Sequence, residues 1–220
     1  MRHPALPWVL PFAVFMLLLA AAPKLGLPPL VDLTLRLAIP ALAVLFFSRH
    51  LLSVRFVSFL PSVLVGVGVF VLWVAPDLLF HGWRSHWLFQ NAIIGTLEST
   101  LPPEARSDWL ALSLRIARAA LLVPIVEELF WRGWLMRWII NPDFEKVPLG
   151  TYAHAAFWLT AVLFALEHGS YWEVGFLAGA VYNWWMVRTK SVSDLILAHA
   201  VTNACLAAFV LLTGRWEFWM

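Results

Sequence analysis

Residues 122–133 read LVPIVEELFWRG and place two adjacent carboxylates and an arginine inside sequence that is otherwise apolar. An ionisable group at bilayer depth costs roughly 2.5–3.5 kcal/mol on insertion scales, so it normally faces the interior of a helix bundle and marks a functional pathway. Glu127, Glu128 and Arg132 are three such groups on one helix. This stretch therefore predicts a membrane helix around which the rest of the chain is organised.

Helix geometry separates the roles of the three charges. Successive residues turn by about 100°, so Glu127 and Glu128 point in different directions, whereas Glu128 and Arg132 are four apart and share a face. We predict an ion pair between Glu128 and Arg132, with Glu127 left for chemistry. Pro124 removes one backbone hydrogen bond and is expected to kink the helix just before the carboxylates. The alternative is a buried ion pair that only fixes helix packing.

The composition indicates a polytopic membrane protein. Of the 220 residues, 62% are hydrophobic and 13% are charged, and the mean hydropathy is +0.80, far outside the range of soluble domains. The formal net charge of +2 comes from arginines near segment ends, as cytoplasmic loops and lipid headgroups select, so no nucleic-acid partner is expected. The single cysteine, Cys205, excludes an intramolecular disulfide and a multi-cysteine metal site.

The apolar runs predict an all-α fold, a polytopic membrane helix bundle of about seven transmembrane helices (range six to eight) in one domain, residues 1–220. The predicted spans are 7–22, 33–47, 56–75, 109–140, 152–167, 172–187 and a last helix that ends near residue 213. Ser191 and Asp194 resemble a capping box at the start of that last helix. The part that carries the chemistry is expected to be approximately 109–213.

Two segments leave alternatives open. The first run, 7–22, follows Arg2 and ends in three alanines, as a signal peptide does, although we favour an uncleaved first span. The segment 77–108 is mixed, aromatic and broken by glycine and proline. Three placements remain for it: on the membrane surface, re-entering the membrane, or as a cap over a site.

Two pairs of residues bear on packing and depth. Gly175 and Gly179 have the small-xxx-small spacing that lets helices approach closely, and we favour internal packing over a dimer face. Arg115 and Arg118 are charged residues near the beginning of the long predicted helix. We therefore expect that beginning to be amphipathic and to lie at a membrane interface.

Two other predicted helices carry side-chain pairs four residues apart. Phe164 precedes His168 near the end of one span, and His199 precedes Asn203 inside the last. Each pair lies on one helix face. A single buried histidine is more often a satisfied core residue than a functional one. Three apolar helices that each bring polar groups to a similar depth nevertheless predict that these groups meet in one cavity.

The chemistry that Glu127, His168, His199 and Asn203 can perform together is hydrolysis. A carboxylate and an imidazole can hold and deprotonate a water molecule. His199 and Asn203 can donate hydrogen bonds to the oxyanion of a tetrahedral intermediate. The sequence contains no serine nucleophile elbow, catalytic-cysteine context, HExxH motif or glycine-rich phosphate loop.

Three spaced motifs carry a resemblance to a known family. They are Glu127-Glu128-x-x-x-Arg132, Phe164-x-x-x-His168 and His199-x-x-x-Asn203, in this order on successive membrane helices. The chain resembles the CAAX-protease and bacteriocin-processing family (CPBP, also called Abi) of intramembrane endopeptidases, over roughly residues 117–207. It is also similar to the CAAX-protease-related proteins found beside bacterial exosortase sorting systems.

The resemblance implies an intramembrane endopeptidase that cleaves a peptide bond near the membrane surface, in eukaryotic members after a prenylated cysteine. By this analogy Glu127 activates water with His168, and His199 with Asn203 stabilises the oxyanion. The Glu128–Arg132 pair supports the site.

The resemblance also bears on metals, because the family has been labelled metalloprotease. Two histidines and a carboxylate are adequate zinc ligands, so Glu127, His168 and His199 are the zinc set to consider. We favour a metal-free glutamate mechanism, with no cofactor, and keep zinc as the alternative. Glu167 is an extra acid next to His168 and faces about 100° away from it, so a loop contact or a helix-end charge is expected there rather than catalysis.

The expected partners are the lipid bilayer and a membrane-anchored peptide or protein substrate, with a link to an exosortase-type sorting system as a narrower expectation. The expected location is the bacterial inner membrane, as a multi-pass integral protein. A non-catalytic immunity or scaffold protein of the same fold is the main alternative. A small transporter that uses the buried charges as a proton relay is a second one, although transporters usually show repeated halves and none is visible in the sequence.

Overall fold

The computed structural model describes residues 3–91, 94, 95, 97 and 99–219, and these residues form helices and loops without a β-strand. Seven long helical segments carry the fold: α1, Leu6–Ala21; α2, Pro29–Leu51; α3, Phe59–Leu79; α4, Trp109–Ile140; α5, His154–Leu166; α6, Trp172–Thr189; and α7, Val192–Thr213. Helices α2, α3, α4 and α7 are long and apolar enough to cross a membrane, and α1 and α5 are shorter apolar helices. The predicted all-α membrane bundle is confirmed; length and hydropathy support four of the seven helices as full spans.

The first helix is part of the bundle. Phe12 of α1 stacks on Phe130 of α4 with ring centroids 4.1 Å apart, and it meets Trp131 edge-on at 5.6 Å. Gly133 leaves room for the ring of Trp8, since a Cβ on that glycine would lie 2.5 Å from two of its atoms. The first helix therefore packs directly against the helix that carries Glu127.

Helix α4 changes its hydrogen-bond pattern along its length. Residues Arg118–Leu122 are π-helical, Val123–Glu128 are α-helical, and Leu129–Leu135 are π-helical again. Pro124 has no N–H to donate, so a regular α-helical ladder cannot pass it. The interruption expected at Pro124 takes the form of a π-helical turn directly before it, a feature common at functional sites.

The start of α7 organises the start of α3. Ser191 Oγ accepts a hydrogen bond from the backbone N–H of Asp194 at 3.2 Å and donates to Asp194 Oδ2 at 2.6 Å, so the predicted cap is confirmed. The same carboxylate accepts the N–H groups of Val57 and Ser58 at 2.8 and 2.6 Å. Those bonds hold residues 57 and 58 outside the helix, which explains why α3 begins at Phe59 and not at the predicted residue 56.

Helices α3 and α7 approach each other closely at Gly66. A Cβ at this position would lie 2.8 Å from the Cβ of Val201 and would collide with the carbonyl oxygen of Ala198. Thr202 Oγ1 donates a hydrogen bond to the Gly66 carbonyl at 2.8 Å. This bond can form because the backbones of the two helices lie close together. The glycine therefore sets the distance between two membrane-spanning helices.

Glycines also set the contact between α5 and α6. A Cβ on Gly179 would lie 3.2 Å from Cα of Ala161 and from the ring of Phe164, and one on Gly175 would lie 3.2 Å from the His168 side chain. The small-xxx-small spacing thus serves packing inside the bundle, as predicted.

The segment between α3 and α4 packs on one end of the bundle as a cap. The indole N–H of Trp172 donates to the carbonyl of Leu88 at 3.0 Å, and the N–H of Thr100 donates to the carbonyl of Trp219 at 2.9 Å. Leu101 is only 1% exposed. The described part of residues 80–108 therefore covers one end of the bundle, and its placement relative to the membrane stays open, whereas Asp77 belongs to α3, which runs to Leu79.

We predict that Gly66→Ala destabilises the protein by about 1–3 kcal/mol, because the new methyl group overpacks the contact between α3 and α7. The matched control is Gly68→Ala on the same helix, where a Cβ would meet nothing within 4 Å. That substitution should be neutral or stabilising by about 0.5–1 kcal/mol through helix propensity. Thermal unfolding of the purified protein in detergent measures both, and equal melting temperatures would contradict the prediction.

Candidate active site

A cavity of about 370 Å³ lies among the helices, in the size range of small-ligand sites. All four residues expected to carry hydrolysis line it: Glu127 from α4, His168 just after α5, and His199 and Asn203 from α7. Polar groups on separate helices therefore do meet in one cavity. Their chemical roles stay predictions at this point.

Glu128 and Arg132 form the ion pair that their four-residue spacing predicts. Nη1 of Arg132 donates to both carboxylate oxygens of Glu128 at 3.1 Å, and both side chains are fully buried. Neither residue is among those that line the cavity in the described part of the chain. The pair acts on the site by positioning its neighbours.

Arg132 connects α4 to α6 through its remaining donors and to α5 through a ring contact. Nε donates to Oδ1 of Asn183 at 2.7 Å, and Nη2 donates to the carbonyl of Gly179 at 3.1 Å, both on α6. The guanidinium also lies 4.5 Å from the ring centroid of Phe164 on α5. Asn183 continues the network by donating to the carbonyl of Phe157 on α5 at 2.7 Å.

The buried ion pair fixes the orientation of His199. Nδ1 of this ring lies 2.7 Å from Oε1 of Glu128. Because a carboxylate accepts, Nδ1 carries the hydrogen and donates it. The ring stacks on Tyr182 with centroids 5.0 Å apart, and the Tyr182 hydroxyl donates to Thr202 at 2.7 Å. Nε2 is the ring nitrogen that faces Glu127, at 4.0 Å from its Oε2.

Glu127 is 6% exposed, and its Oε2 has no hydrogen-bond partner within the described residues. A buried carboxylate oxygen without a partner is costly, since it has lost its hydration. Glu127 also lines the cavity. Its carboxylate is therefore available to a water molecule or ligand there, as the separation of Glu127 from Glu128 on the helix suggested.

His168 is held from two sides. Its Nδ1 lies 2.7 Å from the carbonyl oxygen of Phe164, which can only accept, so Nδ1–H donates. The ring of Trp73 on α3 meets the imidazole edge-on with centroids 5.2 Å apart. In the neutral ring Nε2 is then left as an acceptor, which is the state that a general base requires.

Glu167 is a member of the site that the sequence did not predict. Its Oε1 accepts a hydrogen bond from the indole N–H of Trp131 at 3.0 Å, and the residue lines the cavity. Glu167 does end α5, as expected, but its side chain faces the cavity instead of a loop. Because α5 stops at Leu166, helical spacing does not keep Glu167 and His168 apart, and their ligand atoms lie within 4.8 Å of each other.

One group of side chains could hold a metal ion. Ligand atoms of Glu127, Glu167 and His168 all lie within 4.8 Å of one another. Two carboxylates and an imidazole suit zinc in number and type. The sequence pointed to His199 as the third ligand, and its Nε2 lies 4.0 Å from Oε2 of Glu127. The group whose ligand atoms all lie within 4.8 Å of one another has Glu167 in that place.

Asn203 lies one turn after His199 on α7, on the same face. Its Nδ2 donates to the carbonyl of Ala119 on α4 at 2.8 Å. A side-chain amide carries two N–H donors. The second donor of Asn203 is left for a ligand in the cavity.

Arg115 and Arg118 are buried within the protein, whereas the interfacial depth expected for them stays a prediction. They are 7% and 4% exposed and both line the cavity. The guanidinium of Arg115 lies 5.7 Å from the ring centroid of Trp219, which follows α7. The segment between α3 and α4 and the residues that follow α7 shield this part of α4 from solvent. A sequence pattern does not reveal such contacts between distant segments.

Comparison with known families finds a match for part of the chain. Residues 109–205 match the family model described as type II CAAX prenyl endopeptidase Rce1-like. Over this region the chain is similar to the Rce1-like family. The matched region contains all six predicted site residues, and the resemblance to the CAAX protease family is confirmed. No curated protein and no solved structure matches the chain.

Arg84 connects the cap to the region that matches the Rce1-like model. Its guanidinium lies 2.9 Å from Asp77 and 2.6 Å from Glu173, and it donates to the carbonyl of Ser170 at 2.6 Å. Burial opposes the charge of Arg84, but hydrogen bonds and attraction from Glu173 and Asp77 outweigh it and raise the pKa above its usual value. Because Ser170 follows His168 by two residues, this contact also fixes the turn beside the site.

Some residues around this cavity could have been identified from the sequence alone. Asn183 is a polar side chain within the apolar helix α6, and the depth argument applied to His199 applies equally to it. Tyr182 and Trp131 carry no such signal, since aromatic residues are abundant throughout the chain.

We predict that Arg132→Gln destabilises the protein by about 3–5 kcal/mol, because Glu128 is then left as an uncompensated buried charge. The control is Arg215→Gln, which breaks an ion pair with Glu217 that is about one third exposed. Its effect should stay within about 1 kcal/mol. Thermal unfolding in detergent distinguishes the two, and similar losses for both variants would show that the buried network does not carry the fold.

Proposed function

We propose that this Rce1-like chain is an intramembrane endopeptidase that hydrolyses a peptide bond of a membrane-anchored protein or peptide. The family is a protease family, and four helices are long and apolar enough to cross a membrane. The observation that carries the proposal is the buried Oε2 of Glu127, unpartnered among the described residues, in the same cavity as His168. A carboxylate presented next to an imidazole suits the activation of water.

Glu127 and His168 hold the attacking water in this proposal. Their ligand atoms lie within 4.8 Å of each other, and one water can bridge that separation with two hydrogen bonds of about 2.8 Å. The bond from His168 Nδ1–H to Phe164 leaves Nε2 to accept from the water. Glu127 takes a proton as the water oxygen attacks the carbonyl carbon, and it returns that proton to the leaving amine when the C–N bond breaks.

His199 and Asn203 receive the oxyanion. The second N–H of Asn203 is one donor, since the first is used by Ala119. His199 can donate from Nε2 only when the ring is doubly protonated, because Nδ1–H already donates to Glu128. The oxyanion role therefore requires the imidazolium, with Glu128 as its counter-ion.

Zinc remains the alternative to the metal-free mechanism that we favour. Glu127, Glu167 and His168 are the residues that would hold it. When bound at such a site, zinc polarises a carbonyl group and acidifies a water molecule. Trp131 would then orient Glu167 as a zinc ligand, because its indole N–H already donates a hydrogen bond to that carboxylate.

The bacterial inner membrane and an exosortase-type partner are further parts of the proposal that rest on the resemblance in sequence alone. The apolar composition and the long apolar helices support an integral membrane location in general. A substrate anchored in the same bilayer would reach a cavity formed between such helices without leaving the membrane.

Glu127→Gln should lower the rate of peptide cleavage by about 10²- to 10⁴-fold, because the amide cannot accept the proton of water. The assay uses purified protein and a mixed library of membrane-anchored peptides, with and without a zinc chelator. Activity that resists the chelator supports the metal-free mechanism, whereas loss of activity in the wild type supports zinc.

The matched control is Glu145→Gln, which removes an exposed carboxylate in the loop after α4 and should leave cleavage unchanged. Full activity of Glu127→Gln would show that the role assigned to this residue is wrong. A wild-type protein that cleaves no peptide of the library in either condition, while folded, would favour the non-catalytic scaffold.

His199→Ala and Asn203→Ala should each lower kcat by about 10²- to 10³-fold with little change in KM, because an oxyanion donor acts only in the transition state. Asn141→Ala, which changes an exposed amide outside the cavity, is the control. A rise in KM with kcat unchanged in the two site variants would instead assign these residues to substrate binding.

A further inference from the structure

Glu167 is an acid at the cavity that the metal-free hydrolysis proposed above does not use. Its Oε1 accepts a hydrogen bond from the indole N–H of Trp131 at 3.0 Å, and the residue lines the cavity together with Glu127 and His168. Within the described part of the chain, Trp131 is the side chain that donates to this carboxylate. The second oxygen of Glu167 is therefore available to a ligand in the cavity.

The charges on the cavity wall allow Glu167 to act as a carboxylate. In the part of the chain that the structure describes, the acidic residues of the wall are Glu127 and Glu167, and the basic ones besides histidine are Arg115 and Arg118. Two acids are thus balanced by two arginines. An ionised carboxylate accepts hydrogen bonds and has no hydrogen to donate. The group that binds the second oxygen of Glu167 must therefore supply a donor.

A peptide bond that enters the cavity brings such a donor. Each peptide group carries a carbonyl oxygen and an N–H, and both lose their hydration when they leave water. The proposed function provides for the carbonyl oxygen through His199 and Asn203, and for the attacking water through Glu127 and His168. The N–H of the bond that is cut has no acceptor in that arrangement.

Glu167 lies on the side of the site to which this N–H is expected to point. In a trans peptide group the carbonyl oxygen and the N–H point in opposite directions. Both oxyanion donors, His199 and Asn203, belong to α7, whereas Glu167 comes directly after the end of α5. A peptide bond whose oxygen faces α7 can therefore direct its N–H towards Glu167.

The distance between Glu127 and Glu167 suits a nitrogen atom held between them. Ligand atoms of the two carboxylates lie within 4.8 Å of each other. After water has added to the carbonyl carbon, the nitrogen is tetrahedral, and two hydrogen-bond partners at about 2.8 Å from it lie roughly 4.6 Å apart. One carboxyl group can then deliver a proton to the nitrogen lone pair while the other accepts the N–H.

We propose that Glu167 is a further catalytic residue, which accepts the N–H of the peptide bond that is cut. Trp131 is a positioning residue in this proposal, because its indole N–H engages Oε1 and leaves the other oxygen of Glu167 to the substrate. The inference rests on the proposed function, since it takes the cavity as the site of peptide hydrolysis.

The contact with Glu167 acts when the leaving group departs. The nitrogen lone pair takes the proton that Glu127 removed from water, the oxyanion re-forms the C=O bond, and the electron pair of the broken C–N bond stays on the nitrogen. The N–H remains bonded to the nitrogen throughout. Its hydrogen bond to Glu167 turns the lone pair towards Glu127 and so aligns the proton transfer.

An ester substrate tests this contact, because an ester lacks the N–H. The peptide that the wild-type protein cleaves in the membrane-anchored library is made a second time, with an ester in place of the amide bond that is cut. The rate constant kcat/KM is measured for both substrates with the whole chain in detergent.

The informative variant is Glu167→Gln. The indole N–H of Trp131 can only donate, so the side-chain oxygen of the glutamine stays on Trp131 and its NH2 group faces the cavity. Two donors then oppose each other in the complex with the amide, whereas a donor meets an oxygen in the complex with the ester. We expect kcat/KM for the amide to fall by about 10- to 100-fold and kcat/KM for the ester to be retained or raised.

Two other variants serve as control and second test. Glu104→Gln changes an exposed carboxylate of the cap and should alter neither rate. Trp131→Phe removes the donor to Oε1 and should shift the ratio of amide to ester cleavage in the same direction as Glu167→Gln, by a smaller factor. Thermal unfolding shows which variants are folded, and Trp131→Phe decides the question if Glu167→Gln is not.

The outcomes separate this inference from the proposed function. Equal losses for amide and ester in a folded Glu167→Gln variant overturn the inference, because they assign Glu167 to the attacking water or to zinc, which a chelator distinguishes. Unchanged amide cleavage in that variant overturns it as well. Both results leave the proposed hydrolysis intact. A folded wild-type protein that cleaves no peptide of the library refutes the proposed function and this inference with it.

Discussion

The buried ion pair between Glu128 and Arg132 is the constraint on which the rest of the structure depends. Charges in apolar surroundings persist only where hydrogen bonds satisfy them. The two side chains cannot do this alone, because the guanidinium has five N–H donors. It reaches Asn183 and the backbone of Gly179 on α6, and the carboxylate also accepts from His199 on α7. Three helices must therefore bring particular groups to one depth, which fixes their register.

Two adjacent carboxylates have opposite roles as a result. Glu128 is fully engaged in the hydrogen-bond network and orients the ring of His199. Glu127 faces the cavity, and one of its carboxylate oxygens has no hydrogen-bond partner among the described residues. A side chain in that state is tolerated only where the surroundings are rigid. The network supplies this rigidity one residue away, so the fold stabilises the cavity through Glu128, the neighbour of the residue to which the proposed chemistry is assigned.

The sequence predicted what depends on neighbours within one helix. The pairing of Glu128 with Arg132 and the separation of Glu127 from both follow from the helical period. Contacts between helices do not follow from it. The indole of Trp131 holds Glu167 at 3.0 Å only because α4 and α5 meet there, and no local rule states which of many tryptophans will do so. The sequence therefore sufficed to predict the fold class, but it predicted only some of the residues that line the cavity.

Arg118 shows how a local irregularity decides the wall of the cavity. In a regular α-helix, positions nine apart point roughly 180° away from each other, so Arg118 and Glu127 would lie on opposite faces. The π-helical turn Arg118–Leu122 lies between them and accommodates one extra residue, which reduces the angle to about 80°. Pro124 explains that turn, because it cannot donate to a regular ladder. The proline therefore does more than kink the helix: it rotates the cation of Arg118 towards the side of Glu127, so that both side chains line the same cavity.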